Sequence, residues 1–407
     1  MPSIRRRKFL KSVSAALGAA PLLGACGGGG GGGEPVSNAR ECTVTGVPSS
    51  KPPQLPSGPA LPAISNTALP RLRGAHLNEY ADWTDPHYSG WIQLPQLPAW
   101  GANVLRVFLC PFDQTGAPYL PGSPLKDRLA ASLASRQPVI EWCLSNNVHV
   151  MLCFSSFLIW PVSRNWPEDD GRSLWRDASA QSELIAAWAA LAERFKGRPG
   201  LIFEILNEPQ PHYPGSPNGD ERLSAGALNK LYPPVIEAIR AVDPERWVAI
   251  GPEWNFADYL DELAPIADPR LLYAVHFYTP SSVTHQGIAD PSTAGTVHYP
   301  TSGGQFETAL NKATLEAALK PALDYQAAHG VRIAVTEFGC SKTAPAETRL
   351  AWTTDVYSLF EAWGWDSVIF RYEAGMWPAC FRQSWALENS EIEGLCRSIF
   401  ARNLPTA

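Results

Sequence analysis

The sequence predicts an α/β chain folded as a (β/α)₈ barrel, one domain behind an export signal and a Gly/Pro-rich tether. Three observations predict it. From Arg71 onward short β-rich runs alternate with longer helical patterns, which is the signature of βα units. The β-rich runs number eight, enough to close a barrel. None of them leads into a G-x-G-x-x-G or G-x-x-x-x-G-K-[ST] loop, which an open doubly wound sheet would use to bind phosphates. With 407 residues, 45% of them hydrophobic and 18% charged, the chain can bury a large core and lacks the composition of a disordered protein.

Residues 1–25 read as an export signal. Arg5, Arg6, Arg7 and Lys8 precede an apolar stretch from Val13 to Ala25 that is too short to span a bilayer. The run Arg6-Arg7-Lys8-Phe9-Leu10-Lys11 is similar to a twin-arginine signal, and Leu23-Gly24-Ala25-Cys26 to a lipobox cut before a lipid-modified Cys26. An ordinary cleaved signal with a chance cysteine is the alternative. The expected location is the periplasm or cell surface, with the membrane touched only through the lipid anchor. Cleavage removes five cations from a chain of formal charge −6, leaving −11. An acidic surface argues against nucleic acid as a partner.

Residues 26–70 read as a flexible tether: Gly27 to Gly33 are all glycine, and Glu34 to Pro70 holds eight prolines and little apolar periodicity. The barrel domain then spans 71–403. Its expected strands are Leu72 to Leu77, Asn103 to Leu109, His149 to Phe154, Leu201 to Asn207, Trp247 to Gly251, Leu271 to Phe277, Arg332 to Glu337 and Ser367 to Arg371. Helices are expected over Gln181 to Phe195, Ala225 to Ala241, Lys312 to His329 and Ala346 to Trp363, where apolar residues recur at three- and four-residue spacing. The other seven cysteines show no C-x-x-C spacing, so neither a zinc site nor a disulfide scaffold is signalled. Cys380 and Cys396 could pair, while Cys110, Cys143 and Cys153 read as packed thiols.

In a barrel of this kind the site lies at the C-terminal ends of the strands. Leu201-Ile202-Phe203-Glu204-Ile205-Leu206-Asn207-Glu208-Pro209 ends an apolar strand in a carboxylate, and Pro209 stops the ladder. Ile333-Ala334-Val335-Thr336-Glu337-Phe338-Gly339 does the same three strands later, with Gly339 expected to allow the turn that aims Glu337 at the mouth. Two carboxyls about 5 to 5.5 Å apart, one protonated and one ionised, are what cleavage of a glycosidic bond with retention requires.

These two runs, in this order and on these strands, resemble glycoside hydrolase family 5, and the likeness covers roughly Arg71 to Phe400. The resemblance implies a retaining hydrolase of β-linked polysaccharide with Glu208 as acid/base and Glu337 as nucleophile. It also implies that Arg106 keeps the nucleophile ionised and Asn207 bonds the sugar 2-hydroxyl. His276 and Tyr278 match its strand-six pair, the tyrosine bonding the nucleophile. His76, Glu253, Trp254 and Trp377 are further candidate substrate-binding residues; Glu253 is the rival carboxylate. The sequence departs from the family twice. Leu152-Cys153-Phe154-Ser155 lacks the histidine usual on strand three, and Phe370-Arg371-Tyr372-Glu373 stands where strand eight usually carries tryptophan. Trp83, Trp160, Trp166, Trp254 and Trp377 are placed in rim loops, where indole faces suit sugar rings; Trp142, Trp188, Trp247 and Trp352 are placed in the core.

The expected substrate is a β-1,4-glucan cut internally, with β-mannan or β-1,3-glucan as alternatives and a non-catalytic glycan binder as the reading from another class. No cofactor and no metal is expected, since two carboxylates suffice and no ligand spacing occurs. The chain is expected to act as a monomer.

Overall fold

The computed structural model describes residues 55, 58–65, 67–77, 94–111, 119–155, 174–175, 177–210, 223, 226–288, 290–301, 309–372 and 391–405. Eight parallel strands close into a barrel in chain order: β1 (Arg73–Leu77), β2 (Val104–Leu109), β3 (His149–Phe154), β4 (Leu201–Glu204), β5 (Trp247–Ile250), β6 (Leu271–Phe277), β7 (Arg332–Phe338) and β8 (Asp366–Tyr372). Every expected strand is present. The largest departure is at β4, expected to reach Asn207 but paired only to Glu204. Beyond Glu204 the chain leaves the ladder, and Glu208 takes a φ of 41°, which no strand residue can hold.

Around the barrel run α1 (Leu125–Ser145), α2 (Ala178–Arg194), α3 (Ala227–Val242), α4 (Lys312–His329), α5 (Ala346–Trp363) and α6 (Glu393–Phe400). The four expected helices are α2 to α5, with bounds shifted by a few residues at most. In α4 the Asn311 side chain accepts from the Thr314 N–H while Thr314 bonds back to Asn311, a capping box, and Gly330 ends the helix in the left-handed region. Between β5 and β6 there are only 3-10 turns, Glu253–Asn255 and Ala257–Glu262. Trp254 and Asn255 hold positive φ in this connection, which interrupts any continuous α-helix there.

Strand periodicity builds the interior in layers. Leu72, Val104, Met151, Ile202, Leu272 and Val368 face inward and fill the lower barrel with apolar side chains. Two residues further along the same strands the inward positions become Arg106, Cys153, Glu204 and Phe370. The helices seal the outside of the strands with a second apolar shell in which Trp188 and Trp352 are fully buried and Trp142 nearly so. Trp247 is only half-buried, at the N-terminal end of the barrel between the guanidinium groups of Arg270 and Arg332.

Part of the stretch expected as tether packs against the barrel. Leu61 is buried, Leu69 joins the lower apolar layer, and Ile64 lies so close to Gly200 that a Cβ there would come within 2.7 Å of it. Apolar residues at this spacing bury themselves once a surface is offered. The described cysteines Cys110, Cys143, Cys153, Cys340 and Cys396 are free and buried. Cys396 is therefore not paired with Cys380: it faces inward from α6, 3.8 Å from the Tyr357 hydroxyl. Cys26, Cys42 and Cys380 lie outside the described residues. Among the described residues no helix is long and apolar enough to cross a membrane.

Candidate active site

Arg106, on β2 and fully buried, organises the floor of the site. Its Nε donates to Glu204 Oε2 at 2.6 Å, Nη1 to Glu337 Oε1 at 2.5 Å, and Nη2 to Asn207 Oδ1 at 2.8 Å. The arginine serves Glu337, as the family resemblance implies, and Glu204 as well. Burial opposes its charge, but Glu204 and Glu337 outweigh burial, so the guanidinium stays protonated. Nη2 also reaches Cys153 Sγ at 3.2 Å, at the strand where the family histidine is missing.

Glu337 is aimed by a local break in the β7 ladder. Val275 pairs with Val335, but His276 pairs with Glu337, so Thr336 is the extra residue of a bulge. Two successive residues can then face the interior. Thr336 donates to Glu204 Oε1 at 3.0 Å, and Glu337 Oε2 accepts from the Tyr278 hydroxyl at 3.0 Å. This replaces the expectation placed on Gly339, which is not among the glycines of positive φ. Burial pushes the Glu337 carboxyl up, but His276, Arg106 and the Tyr278 bond together hold it below its ordinary value. Tyr278, pushed far up by burial and by the two carboxylates, keeps its proton and remains a donor.

Glu208 approaches from the other side. Its positive φ turns the side chain back over the barrel, where Oε1 lies 2.8 Å from His276 Nδ1. His276 Nδ1 is also 3.6 Å from Glu337 Oε2, and ligand atoms of the three residues all lie within 4.8 Å of one another. Burial first, and the Glu337 charge as well, raise the Glu208 carboxyl, against the opposing pull of His276 and Arg106. Two glutamates side by side are thus driven to opposite protonation states.

The remaining expected residues divide. His76 lies 3.3 Å from Arg106 Nη1, packed edge-on to Phe108 and beside Phe370. Burial and the nearby Arg106 and Arg371 hold its imidazole well below the ordinary value, so it is neutral. Phe370, half-buried at the strand-eight position, supplies a ring where the family has tryptophan. Glu253 does not join the cluster: it is buried, and its Oε2 accepts from the Leu223 N–H at 3.2 Å, holding the chain that returns from β4. Trp254 is half-buried, its ring stacked 6.1 Å from Phe256, and its backbone N–H donates to the Pro209 carbonyl at 2.8 Å. Trp83, Trp160, Trp166 and Trp377 lie outside the described residues. Thr336 and Asn255 went unnoticed in the sequence; a polar residue amid the apolar run of β7 was the available signal for the first.

With this geometry in place, the match to a family described as Cellulase (glycosyl hydrolase family 5), over residues 73–370, decides the identity. The chain belongs to glycosyl hydrolase family 5. It is similar to Endoglucanase C of Acetivibrio thermocellus, 28% identical over 260 residues that cover 58% of this chain and 71% of that one. Cellodextrinase A of Ruminococcus flavefaciens is 23% identical over 274 residues, covering 67% and 74%. Among solved structures, an endoglucanase from the hyperthermophilic Thermotoga maritima superposes with a TM-score of 0.57 at 18% identity, over 82% of this chain and 97% of that one. The cellulose synthase subunit Z from Clostridioides difficile gives 0.57 at 19% identity, over 83% and 100%. As a family 5 member the chain is a retaining O-glycosyl hydrolase.

Proposed function

We propose that this family 5 enzyme is an endo-acting β-1,4-glucanase in which Glu208 is the general acid/base and Glu337 the nucleophile. The observation that carries the assignment is the carboxylate pair itself: oxygens within 4.8 Å of each other, one carboxyl pushed up and the other held down. That spacing is well short of the roughly 6.5 to 9.5 Å at which a carboxyl pair accommodates both the sugar and an attacking water, and it suits direct attack on the anomeric carbon. Glu337, ionised and gripped by Arg106 and Tyr278, attacks while Glu208 gives its proton to the departing oxygen. Glu208 then takes a proton from the water that releases the glycosyl-enzyme ester. Asn207, whose Oδ1 is occupied by Arg106, offers Nδ2 to the sugar 2-hydroxyl. Phe370 and Trp254, both half-buried, offer the aromatic surface against which sugar rings stack.

The β-1,4-glucan assignment draws support from the endoglucanase and cellodextrinase relatives. Its test is a panel of carboxymethyl cellulose, mannan and laminarin, with viscosity followed beside reducing ends. Cleavage of the cellulose derivative with viscosity falling ahead of reducing ends is expected; preference for mannan or laminarin would overturn the substrate. Glu337→Gln is expected to lower the rate by on the order of 10³-fold or more, and proton NMR of the first-formed product should show the retained anomer. Binding without product would favour the glycan-binding reading. Export and anchoring rest on residues 1–26, and fatty-acid labelling that disappears in Cys26→Ser is the expected result.

A further inference from the structure

The turn after β5 touches the acid/base from two directions. Trp254 and Asn255 are consecutive non-glycine residues in the left-handed region, with φ of 58° and 51°. Such backbone is costly and persists where the surroundings impose it. From this turn the Trp254 N–H bonds the carbonyl of Pro209, the residue after Glu208. The Asn255 side chain, fully buried, places its Nδ2 3.1 Å from His276 Nε2, and His276 Nδ1 is the atom that meets Glu208. Gly251 leaves room for this amide, since a Cβ at that position would come within 2.3 Å of Asn255 Oδ1.

We propose that Asn255 is a positioning residue for the acid step, fixing through His276 which oxygen of Glu208 carries the catalytic proton. The argument is one of hydrogen accounting. Thr336 Oγ1 also lies 3.1 Å from His276 Nε2; with its single hydrogen on the Glu204 carboxylate it can only accept there, so the face that the Asn255 amide turns to Nε2 decides the tautomer, and that face is Nδ2. The donor that meets Nε2 is then the Asn255 amide, which makes Nε2 an acceptor and places the ring hydrogen on Nδ1. Nδ1–H donates to Glu208 Oε1. A protonated Glu208 therefore uses Oε1 as its carbonyl oxygen and holds its proton on Oε2, free to pass to the departing glycosidic oxygen. With the opposite tautomer a bare Nδ1 would draw the carboxyl proton onto Oε1 and leave Oε2 without one. The charged and titratable groups around His276 are Glu208 after β4, Glu337 on β7, Arg106 on β2, His76 on β1 and Tyr278 after β6. None of them bonds Nε2.

The inference rests on Glu208 being the acid, and leaving-group dependence separates the two claims. Asn255→Asp is nearly isosteric and turns the donor at Nε2 into an acceptor. General acid assistance is worth about 10²- to 10⁴-fold for a poor leaving group and far less for a good one. Asn255→Asp is therefore expected to lose about 100-fold in kcat/KM on a cello-oligosaccharide but no more than about threefold on 2,4-dinitrophenyl β-cellobioside. A variant damaged only in structure would lose equally on both. Glu208→Gln in the same assay must show the same bias. If it does not, Glu208 is not the acid and the inference falls with it; if it does and Asn255→Asp loses equally on both substrates, or loses nothing, the role of Asn255 alone is overturned. Should the buried aspartate prevent folding, checked by circular dichroism, Asn255→Ala carries the same comparison: a larger loss on the oligosaccharide supports the proposal and equal losses overturn it.

Discussion

Glu208 and Glu337 are the same side chain driven to opposite charge states by what surrounds it. Glu337 accepts from Arg106 and Tyr278, so its ionised form is favoured despite burial. Glu208 meets only His276; burial and the neighbouring charge of Glu337 outweigh the pull of His276 and Arg106 and favour its neutral form. The consequence for pH follows from which form each must hold. As the proposed nucleophile Glu337 must be ionised, so activity is expected to fall as pH drops through its lowered value. As the proposed acid Glu208 must be protonated, so activity is expected to fall as pH rises through its raised value. A bell-shaped kcat/KM is expected, its limbs on either side of the ordinary 4.5, and because the groups interact the limbs belong to the pair. Tyr278→Phe removes one of the bonds that hold Glu337 down. Its acid limb should move to higher pH, and a limb left in place would show that the tyrosine does not act on the nucleophile. Glu204, between Arg106 and Thr336, is a different matter: its place in the floor is structural. Glu204→Leu leaves the Arg106 charge buried beside one carboxylate and is expected to cost about 3 to 5 kcal/mol of stability, read from urea unfolding.

At the scale of elements, the site depends on strands held at close approach. Gly74 in β1 pairs with Val104 in β2, and a Cβ at Gly74 would lie 1.8 Å from the Val104 carbonyl oxygen. Nothing flexible stands there to yield. Gly74→Ala must push β1 away from β2, separating His76 from Arg106, and is expected to cost about 3 kcal/mol or more by the measure of overpacked cores; a melting temperature equal to that of the parent would contradict it. The strands themselves were legible because burial on both faces, inside a helix-wrapped barrel, writes short and nearly continuous apolar runs. Glu208 and Glu337 were legible as carboxylates that close apolar runs, whereas Arg106, Asn207 and Tyr278 were picked out only through the family resemblance. What the pattern could not carry is set by backbone rather than side-chain type. The bulge at Thr336 and the left-handed turn at Trp254 and Asn255 leave no period. Glu253 looked like Glu208 in sequence because both follow an apolar strand beside a proline, yet its carboxylate accepts from the Leu223 N–H instead of joining the pair.

Over the whole molecule, the closure between β8 and β1 is secured on the N-terminal face by side chains far apart in sequence. Glu361, on α5, receives Arg71, Arg73 and Arg402, while Arg73 also donates to Asn403 at 2.6 Å. Asp366 at the start of β8 accepts the Leu72 N–H and both arms of Arg332, which in turn reaches the Leu69 and Pro70 carbonyls. The first strand, the last helix and the strap of residues before β1 are thereby joined. Burial raises the Glu361 carboxyl, but its arginine partners outweigh burial and hold it below 4.5. A depressed value in the folded state means that the stabilisation is present above the unfolded value and is lost as pH falls through the folded one. Glu361→Ala is expected to cost about 2 to 3 kcal/mol at neutral pH, from the loss of charge-assisted hydrogen bonds, and the difference from the parent should shrink in acid, where the parent loses the same contacts. A difference that stays constant with pH would mean the carboxylate's charge plays no part. The same acid range also protonates Glu337, so low pH acts on activity through two independent groups. Protonation of Glu337 reverses at once on neutralisation, whereas opening of the seam must be reversed by refolding, so recovery kinetics after a brief acid pulse separate them. In Glu361→Ala the slow fraction should enlarge while the fast fraction keeps its midpoint.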